Sequence, residues 1–381
     1  MSSKNHPMLE AARALAPRIR ACADRIETER ELPQDLFDAL SDAGLFKLGL
    51  PRSMEGVEID LPSYVDVLEE LGKADASTAW LVNQCSIFAT YAARMEHEVA
   101  RQIWTDTPRC VVANTSMPTA EAVPVPGGYR VTGRHRFSSG SLHASWFAAR
   151  AWLPEPDGER VQKFLFVPAE DVEVVDIWRV RGMRGTGTND FIVDGVFVPE
   201  ERVIRQLGSP VREPGPLYKI ALVLLFASGD AALSLGAAQA CLDAFLELAG
   251  AKTPHAMQAM LRDQSPVQVA VGQIQASLAA GRAYIREAVR ALWSEAVSPE
   301  PLTLDRRLGL RLAATHCIRL AIQAVETLYN LSGTTAVFEG NVIQRIFQDL
   351  HVISQHQQVR LANYELAGKH VLGLEIETTR L

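Results

Sequence analysis

Apolar positions along the chain recur with two different periods, and the changes of period divide it into three stretches. From about Pro7 to Thr107 the spacing is helical. Ala11 to Glu31 reads as one amphipathic run, and a second helix starts at Pro33, with proline near its first turn. Ser63 to Gly72 and Ser77 to Met95 carry two more apolar-periodic runs. From Cys110 to about Val203 the period shortens. The segment from Val123 to Gly133 sets Pro124, Pro126, Gly127 and Gly128 among β-branched and aromatic residues, as hairpins do. Trp146 to Trp152, Lys163 to Val167 and Phe191 to Val198 read as further strands, closed by Pro199. From about Leu217 long Ala- and Leu-rich runs are helical again, broken at Lys252-Thr253-Pro254 and Ser298-Pro299. No internal repeat or low-complexity tract interrupts this order. It predicts an α+β chain with a helical domain over 1–108, a β domain over 109–210 and a helical domain over 211–381, meeting at a shared cleft.

One segment concentrates the candidate chemistry. In Phe338 to His356, Asn341 is placed to cap a helix and Gln344 to reach back to the cap. Ile343, Ile346, Phe347, Leu350 and Ile353 then form an apolar stripe. On the same helix, Asp349 and His356 are seven residues apart and lie within about 20° of each other around its axis, a carboxylate and an imidazole on one face. His351 would sit about 140° from His356, so the two could not serve one small site. The i,i+4 pair of a zinc helix is absent and no metal site is expected.

Composition narrows the function classes. The net charge of −7 is spread over mixed signs, which argues against nucleic-acid binding. Met1 to Pro7 has no apolar core of a secretory signal, and Ile220 to Ala227, the longest apolar run, is too short to span a bilayer. Cytoplasmic location without membrane association is the expectation. Cys22, Cys85, Cys110, Cys241 and Cys317 are scattered without a CxxC, so buried free thiols are expected.

Three further motifs are individually plain. Gly133 to Ser141 (GRHRFSSGS) is a serine-rich turn, and Gly182 to Asp190 (GMRGTGTND) with Val193 to Pro199 is a β-connection lacking the Gly-Lys-Ser/Thr of a phosphate loop. Leu235 to Leu242 (LGAAQACL) is a helix with a small-residue face. Together with Phe338 to His356, over nearly the whole chain, they resemble the acyl-CoA dehydrogenase superfamily. The resemblance implies an N-terminal helical domain, a central β-barrel or sandwich and a C-terminal four-helix bundle. It also implies a flavin in the cleft, with Phe137 covering the ring and the Ser139 hydroxyl bonded near its reactive edge. Gly140, Asn114, Thr115, Arg184, Thr186 and Thr188 would complete the cofactor site, the glycine-rich loop offering backbone N–H groups.

Two departures point to one branch of that family. The Arg-x-x-Phe-Gly element that holds a dinucleotide flavin in dehydrogenases is missing from Ala251 to Met257. The ending Asp-x-His-x-x-x-Gln-His, Asp349 to His356, resembles the two-component (group D) flavin-dependent monooxygenases. That branch implies an oxygenase component fed with reduced FMN or FAD by a separate flavin reductase. It would use O₂ through a C4a-hydroperoxide to hydroxylate a small aromatic or heteroaromatic substrate. His356 would supply the proton, with Asp349 and Ser139 assisting. No GxGxxG follows a strand, which agrees with reductant arriving from elsewhere. Trp80 and Phe88 are the candidate substrate contacts. Their helix lacks the histidine common in phenol hydroxylases of the group, which favours an apolar, indole-like substrate over a phenol, though aromatic residues at this spacing also fit a plain core. Apolar residues on several faces of 304–331 lead to the expectation of a homotetramer. Two other readings stay open: an FAD-dependent acyl-CoA dehydrogenase with Glu339 of Phe338-Glu339-Gly340 as base, and an inactive flavin-fold scaffold subunit.

Overall fold

Six helices open the chain: α1 (Pro7–Ala21), α2 (Ala23–Glu29), α3 (Gln34–Asp42), α4 (Leu61–Ala74), α5 (Ala76–Phe88) and α6 (His97–Trp104). The computed structural model describes residues 6–155, 157–378 and 381. The run expected to be continuous from Ala11 to Glu31 divides at Cys22 and ends on Arg30 in the left-handed region, at φ 62°. Carboxylates start α4 and α5: Asp60 Oδ1 accepts the Ser63 N–H at 2.8 Å, and Asp75 Oδ1 accepts that of Thr78 at 2.7 Å. Helix α5 is apolar on nearly every face and buried almost throughout, so it threads the molecule rather than covering it.

Eight strands follow in two four-stranded sheets. One has the order β1 (Val112–Asn114), β4 (Trp146–Pro154), β5 (Arg160–Pro168), β8 (Val203–Arg205). The other has the order β2 (Glu121–Val125), β3 (Gly128–Ser138), β7 (Asn189–Pro199), β6 (Glu173–Val175). The hairpin expected from Val123 to Gly133 is β2–β3. The register of β3 against β7 slips between His135 and Ser138, with Phe137 at φ 59°. Beyond this bulge one further pair, Ser138 with Asn189, closes the ladder, and the chain then delivers Ser139 and Gly140 to the cleft.

The C-terminal part holds α7 (Leu222–Ala251), α8 (Ser265–Ala296), α9 (Leu304–Ser332), α10 (Val342–Ile353) and α11 (Ala362–Val371). Helix α7 is long and apolar enough to cross a membrane, but most of it is buried among α4, α5, α8, α9 and α10. At Gly236 an added Cβ would lie 2.1 Å from the Glu69 carbonyl oxygen. The backbones of α4 and α7 touch there, which accounts for the small residues of the Leu235–Leu242 run. Lys252 ends α7 by reaching the Ser332 carbonyl at 2.6 Å and Thr335 Oγ1 at 2.7 Å at the far end of α9.

One apolar core runs through both helical layers, joining Leu68 and Leu71 to Leu233, Leu278 and Ile318. The β region has its own cores, one around Phe88, Phe164 and Phe166 and one around Phe147 and Phe191. All five cysteines are buried. The two helical ends of the sequence are therefore one packed body, and the sheets lie against it.

Candidate active site

Five elements meet where the β region faces the helical body: α5, α7, the turn after α10, the end of β3, and the loop from Gly182 to Thr188. Helix α7 contributes Asp230, which is fully buried. Its Oδ1 accepts the Asn83 side-chain N–H of α5 at 2.7 Å, and the Asn83 carbonyl oxygen accepts the Tyr64 hydroxyl. Oδ2 of Asp230 faces Nδ1 of His356 at 3.4 Å, within ion-pair reach, and neither atom has a hydrogen-bond partner among the described residues. A buried carboxylate is costly unless it is paired or hydrogen-bonded, and His356 is the charge-capable group on its open side.

His356 does not continue α10. The helix stops at Ile353, and the Ser354 hydroxyl donates to the His351 carbonyl at 2.6 Å across its last turn. His356 then adopts an extended conformation. The expected shared face of Asp349 and His356 therefore does not form, because the turn swings the imidazole away to α7. The carboxylate beside His356 is Asp230, which the sequence reading missed. Its one signal was a lone carboxylate among the apolar residues of Leu222 to Leu242.

Trp80 joins this pair to the end of β3. Its indole meets the His356 ring edge-on, 5.1 Å between centroids at 83°. The indole N–H donates to Ser139 Oγ at 3.2 Å. From there hydroxyls run in a row: Ser139 to Thr188 at 2.8 Å, Thr188 to Thr186 at 2.7 Å, and Thr186 to the Met183 carbonyl at 2.8 Å. Each hydroxyl has one hydrogen. Thr186 spends its hydrogen on Met183, so Thr188 donates to Thr186 and Ser139 donates to Thr188. The oxygen of Ser139 faces Trp80 while its hydrogen is committed inward.

Asp349, fully buried, faces the other end of that row. Its Oδ1 accepts the Met183 N–H at 2.5 Å. Burial first, then the neighbouring Asp75 and Glu27, push its carboxyl well above the usual range. Burial and Asp75 likewise push Glu27 up to about 7.

The remaining expected site residues divide. Phe137 is 59% exposed at the bulge, its edge toward Trp178 at 6.4 Å. The Gly140 N–H donates to the Thr186 carbonyl at 2.9 Å, and Thr115 Oγ1 donates to the Arg136 carbonyl at 3.0 Å. Asn114 ends β1, half-buried. Arg184 binds the Glu27 and Val180 carbonyls at 2.8 and 3.0 Å, so its guanidinium ties α2 to the loop. The loop's N–H groups at Met183, Thr186 and Gly187 are bonded to Asp349, the Met183 carbonyl and the Arg184 carbonyl. Those three N–H groups are thus engaged in the loop's own turn and in its tie to α10.

Phe88 is corrected outright. It is fully buried and packs edge-on against Phe164 at 5.1 Å, a core residue where α5 meets the sheets. Asn341 caps α10 as expected, accepting the Ile343 N–H at 2.9 Å, but Gln344 Oε1 has no partner among the described residues and the reciprocal half of the cap is missing there. His351 faces Glu326 at 3.5 Å, away from the cleft. Glu339 is exposed before α10, the whole helix, about 18 Å, separating it along the axis from the His356 turn.

Comparison with known proteins extends the picture. Residues 4–105 match the family of the acyl-CoA dehydrogenase N-terminal domain, and residues 228–361 match that of the acyl-CoA dehydrogenase C-terminal domain. The chain is similar to the indole-3-acetate monooxygenase of Pseudomonas putida, 25% identical over 93% of this chain and 91% of that protein. It is also similar to the flavin-dependent monooxygenase oxygenase subunit HsaA of Rhodococcus jostii, 28% identical over 96% of this chain and 98% of that one. Among solved structures, XiaF from Streptomyces sp. in complex with FADH2 and glycerol superposes with a TM-score of 0.88 at 27% identity, over 97% of this chain and 95% of that chain.

Proposed function

We propose that this chain, which belongs to the acyl-CoA dehydrogenase superfamily and within it to the oxygenase components of two-component flavin-dependent monooxygenases, hydroxylates a small aromatic substrate with His356 as its proton-handling group and Asp230 behind it. The observation that carries the second half is the Asp230–His356 pair, one end buried and the other open at the cleft.

The residues present suit a flavin. An aromatic ring left 59% exposed on a strained bulge at Phe137, with the hydroxyls of Ser139 and Thr188 close by, is a surface that a flat ring system with polar edges would cover. Ser139 and Thr188 would bond the edge of that ring. Bound reduced flavin supplies two electrons, so that one atom of O₂ enters the substrate and the other leaves as water.

This chain's side chains handle protons and exclude solvent. With Nδ1 turned to Asp230, Nε2 of His356 is the atom that takes or gives a proton. Asn83 and Tyr64 hold the carboxylate still, so the imidazole keeps one orientation. Trp80 walls the space between His356 and Ser139, which keeps the proton donor and the flavin edge on one dry side.

The reduced flavin comes from a separate reductase, as the naming of relatives as oxygenase components implies. Relatives named for indole-3-acetate and resorcinol support an indole-like or phenolic substrate. A homotetramer is part of the proposal, supported by exposed Phe338 (68%), Leu361 (66%), Val371 (84%) and Leu372 (75%) along the C-terminal segments. Cytoplasmic location is proposed on composition alone.

Oxygen uptake with photoreduced FMN or FAD and a panel of indoles and phenols tests the activity. Hydroxylated product accounting for most of the O₂ consumed supports it. Peroxide as the only product with every aromatic would overturn it.

A further inference from the structure

We propose that Asp349 is a positioning residue of the flavin site: from α10 it anchors the Gly182–Thr188 loop, and through Thr186 and Thr188 it fixes where Ser139 holds its hydroxyl. The proposal rests on the reading above that Ser139 faces the flavin edge.

Two independent contacts make the anchor. Asp349 Oδ1 accepts the Met183 N–H at 2.5 Å. One residue earlier, Gly182 lies so close to α10 that an added Cβ would sit 2.2 Å from the Gln348 carbonyl oxygen and 2.6 Å from the Asp349 nitrogen. The loop backbone is thus pressed onto the C-terminal bundle and bonded there. Met183 itself holds φ 54°, a conformation that non-glycine residues keep only where surroundings enforce it.

Met183 then relays the constraint. Its carbonyl accepts Thr186 Oγ1 at 2.8 Å and the Trp178 indole N–H at 2.9 Å. Because Thr186 is bound to that carbonyl, the whole hydroxyl row runs one way, and Ser139 donates inward to Thr188. A bond donated by Ser139 to a flavin edge must therefore exchange against the Thr188 link. Asp349 sets the far end of that exchange from another domain. The Met183 N–H needs only an oxygen acceptor at that place, and the side-chain amide of asparagine offers one there.

The test combines flavin-free amide exchange with flavin binding. Exchange at Met183 is read by mass spectrometry in the wild type, Asp349→Ala, Asp349→Asn and Gly182→Ala, and each is then titrated anaerobically with reduced flavin. Wild type and Asp349→Asn are expected to protect Met183, and Asp349→Ala and Gly182→Ala to lose protection by at least about tenfold. Reduced-flavin affinity is expected to fall up to about tenfold in Asp349→Ala and Gly182→Ala and to stay within roughly threefold in Asp349→Asn. Thr188→Val is expected to weaken flavin while leaving Met183 protected, and to add little on top of Asp349→Ala. Full protection and affinity in Asp349→Ala, or an Asp349→Asn as impaired as the alanine variant, overturns the proposal. If Asp349→Ala does not fold, the contrast of Asp349→Asn with Gly182→Ala decides. A wild type that protects Met183 but binds no reduced flavin sinks the functional reading and leaves the anchor standing.

Discussion

Oδ2 of Asp230 and Nδ1 of His356 face each other at 3.4 Å between α7 and the turn after α10, with the carboxylate fully buried and the imidazole 31% exposed. A pair with one sealed end and one open end holds the ring from behind and leaves its outer nitrogen for chemistry. Asp230→Asn keeps the shape and the Asn83 contact but removes the charge. Product per O₂ is expected to fall and H₂O₂ to rise, by less than the 10²–10⁴-fold or so expected for loss of the acid–base group itself. Parallel oxygen-electrode and peroxide assays measure both.

Ser139→Ala removes the one hydroxyl that links Trp80 to Thr188. Loss of one such bond costs about 0.5–1.5 kcal/mol net, so reduced-flavin affinity is expected to drop by up to about tenfold with the fold intact. Anaerobic fluorescence titration checks it. An unchanged dissociation constant would make Ser139 a turn residue only.

Phe88 and Trp80 separate core from cleft. Phe88→Ala opens a cavity among Tyr91, Phe164 and Phe166 and is expected to cost roughly 3–5 kcal/mol of stability, with the site of substrate oxidation unchanged. Trp80→Phe keeps most of the volume, so its effect is expected on KM and coupling more than on Tm. Thermal melts beside product analysis distinguish the two.

Glu27 gives a stability signature with a definite sign. Its carboxyl is pushed from the usual 4.5 up to about 7, so the folded protein holds a proton that the unfolded chain releases. Folding is therefore favoured most below about pH 4.5 and loses that advantage as pH rises to about 7, by at most roughly 3 kcal/mol. Glu27→Gln lacks the ionisation cost. Its stability relative to wild type is expected to grow between those pH values and level off above them, in denaturant unfolding at each pH. A pH-independent difference would contradict the account.

Much of this architecture was legible in residue spacing. The β2–β3 hairpin follows from turn residues between β-branched ones, and the breaks after α7 and α8 fall near Lys252-Thr253-Pro254 and Ser298-Pro299. What escaped depended on tertiary contact. Asp230 is a single carboxylate in an apolar helix, and nothing local says that His356 lies across from it. The end of α10 carries no glycine or proline, so the helix read on to His356 and put Asp349 on the wrong partner. Helix α5 is apolar all round, so spacing could not say that Trp80 faces the cleft and Phe88 the sheets. The ties of Arg184 to the Glu27 and Val180 carbonyls and to the Glu27 carboxylate cross 157 residues of sequence in the case of Glu27, and no local pattern reveals them.

The most direct test of the central claim is the ratio of hydroxylated product to H₂O₂ per O₂ consumed, in wild type, His356→Ala and Glu339→Gln, with reduced flavin supplied. His356→Ala is expected to turn most of the oxygen into H₂O₂, and Glu339→Gln, altered at an exposed position before α10, to stay close to wild type. Reduction of bound oxidised flavin by an acyl-CoA, abolished in Glu339→Gln and untouched in His356→Ala, would contradict it and make the chain a dehydrogenase.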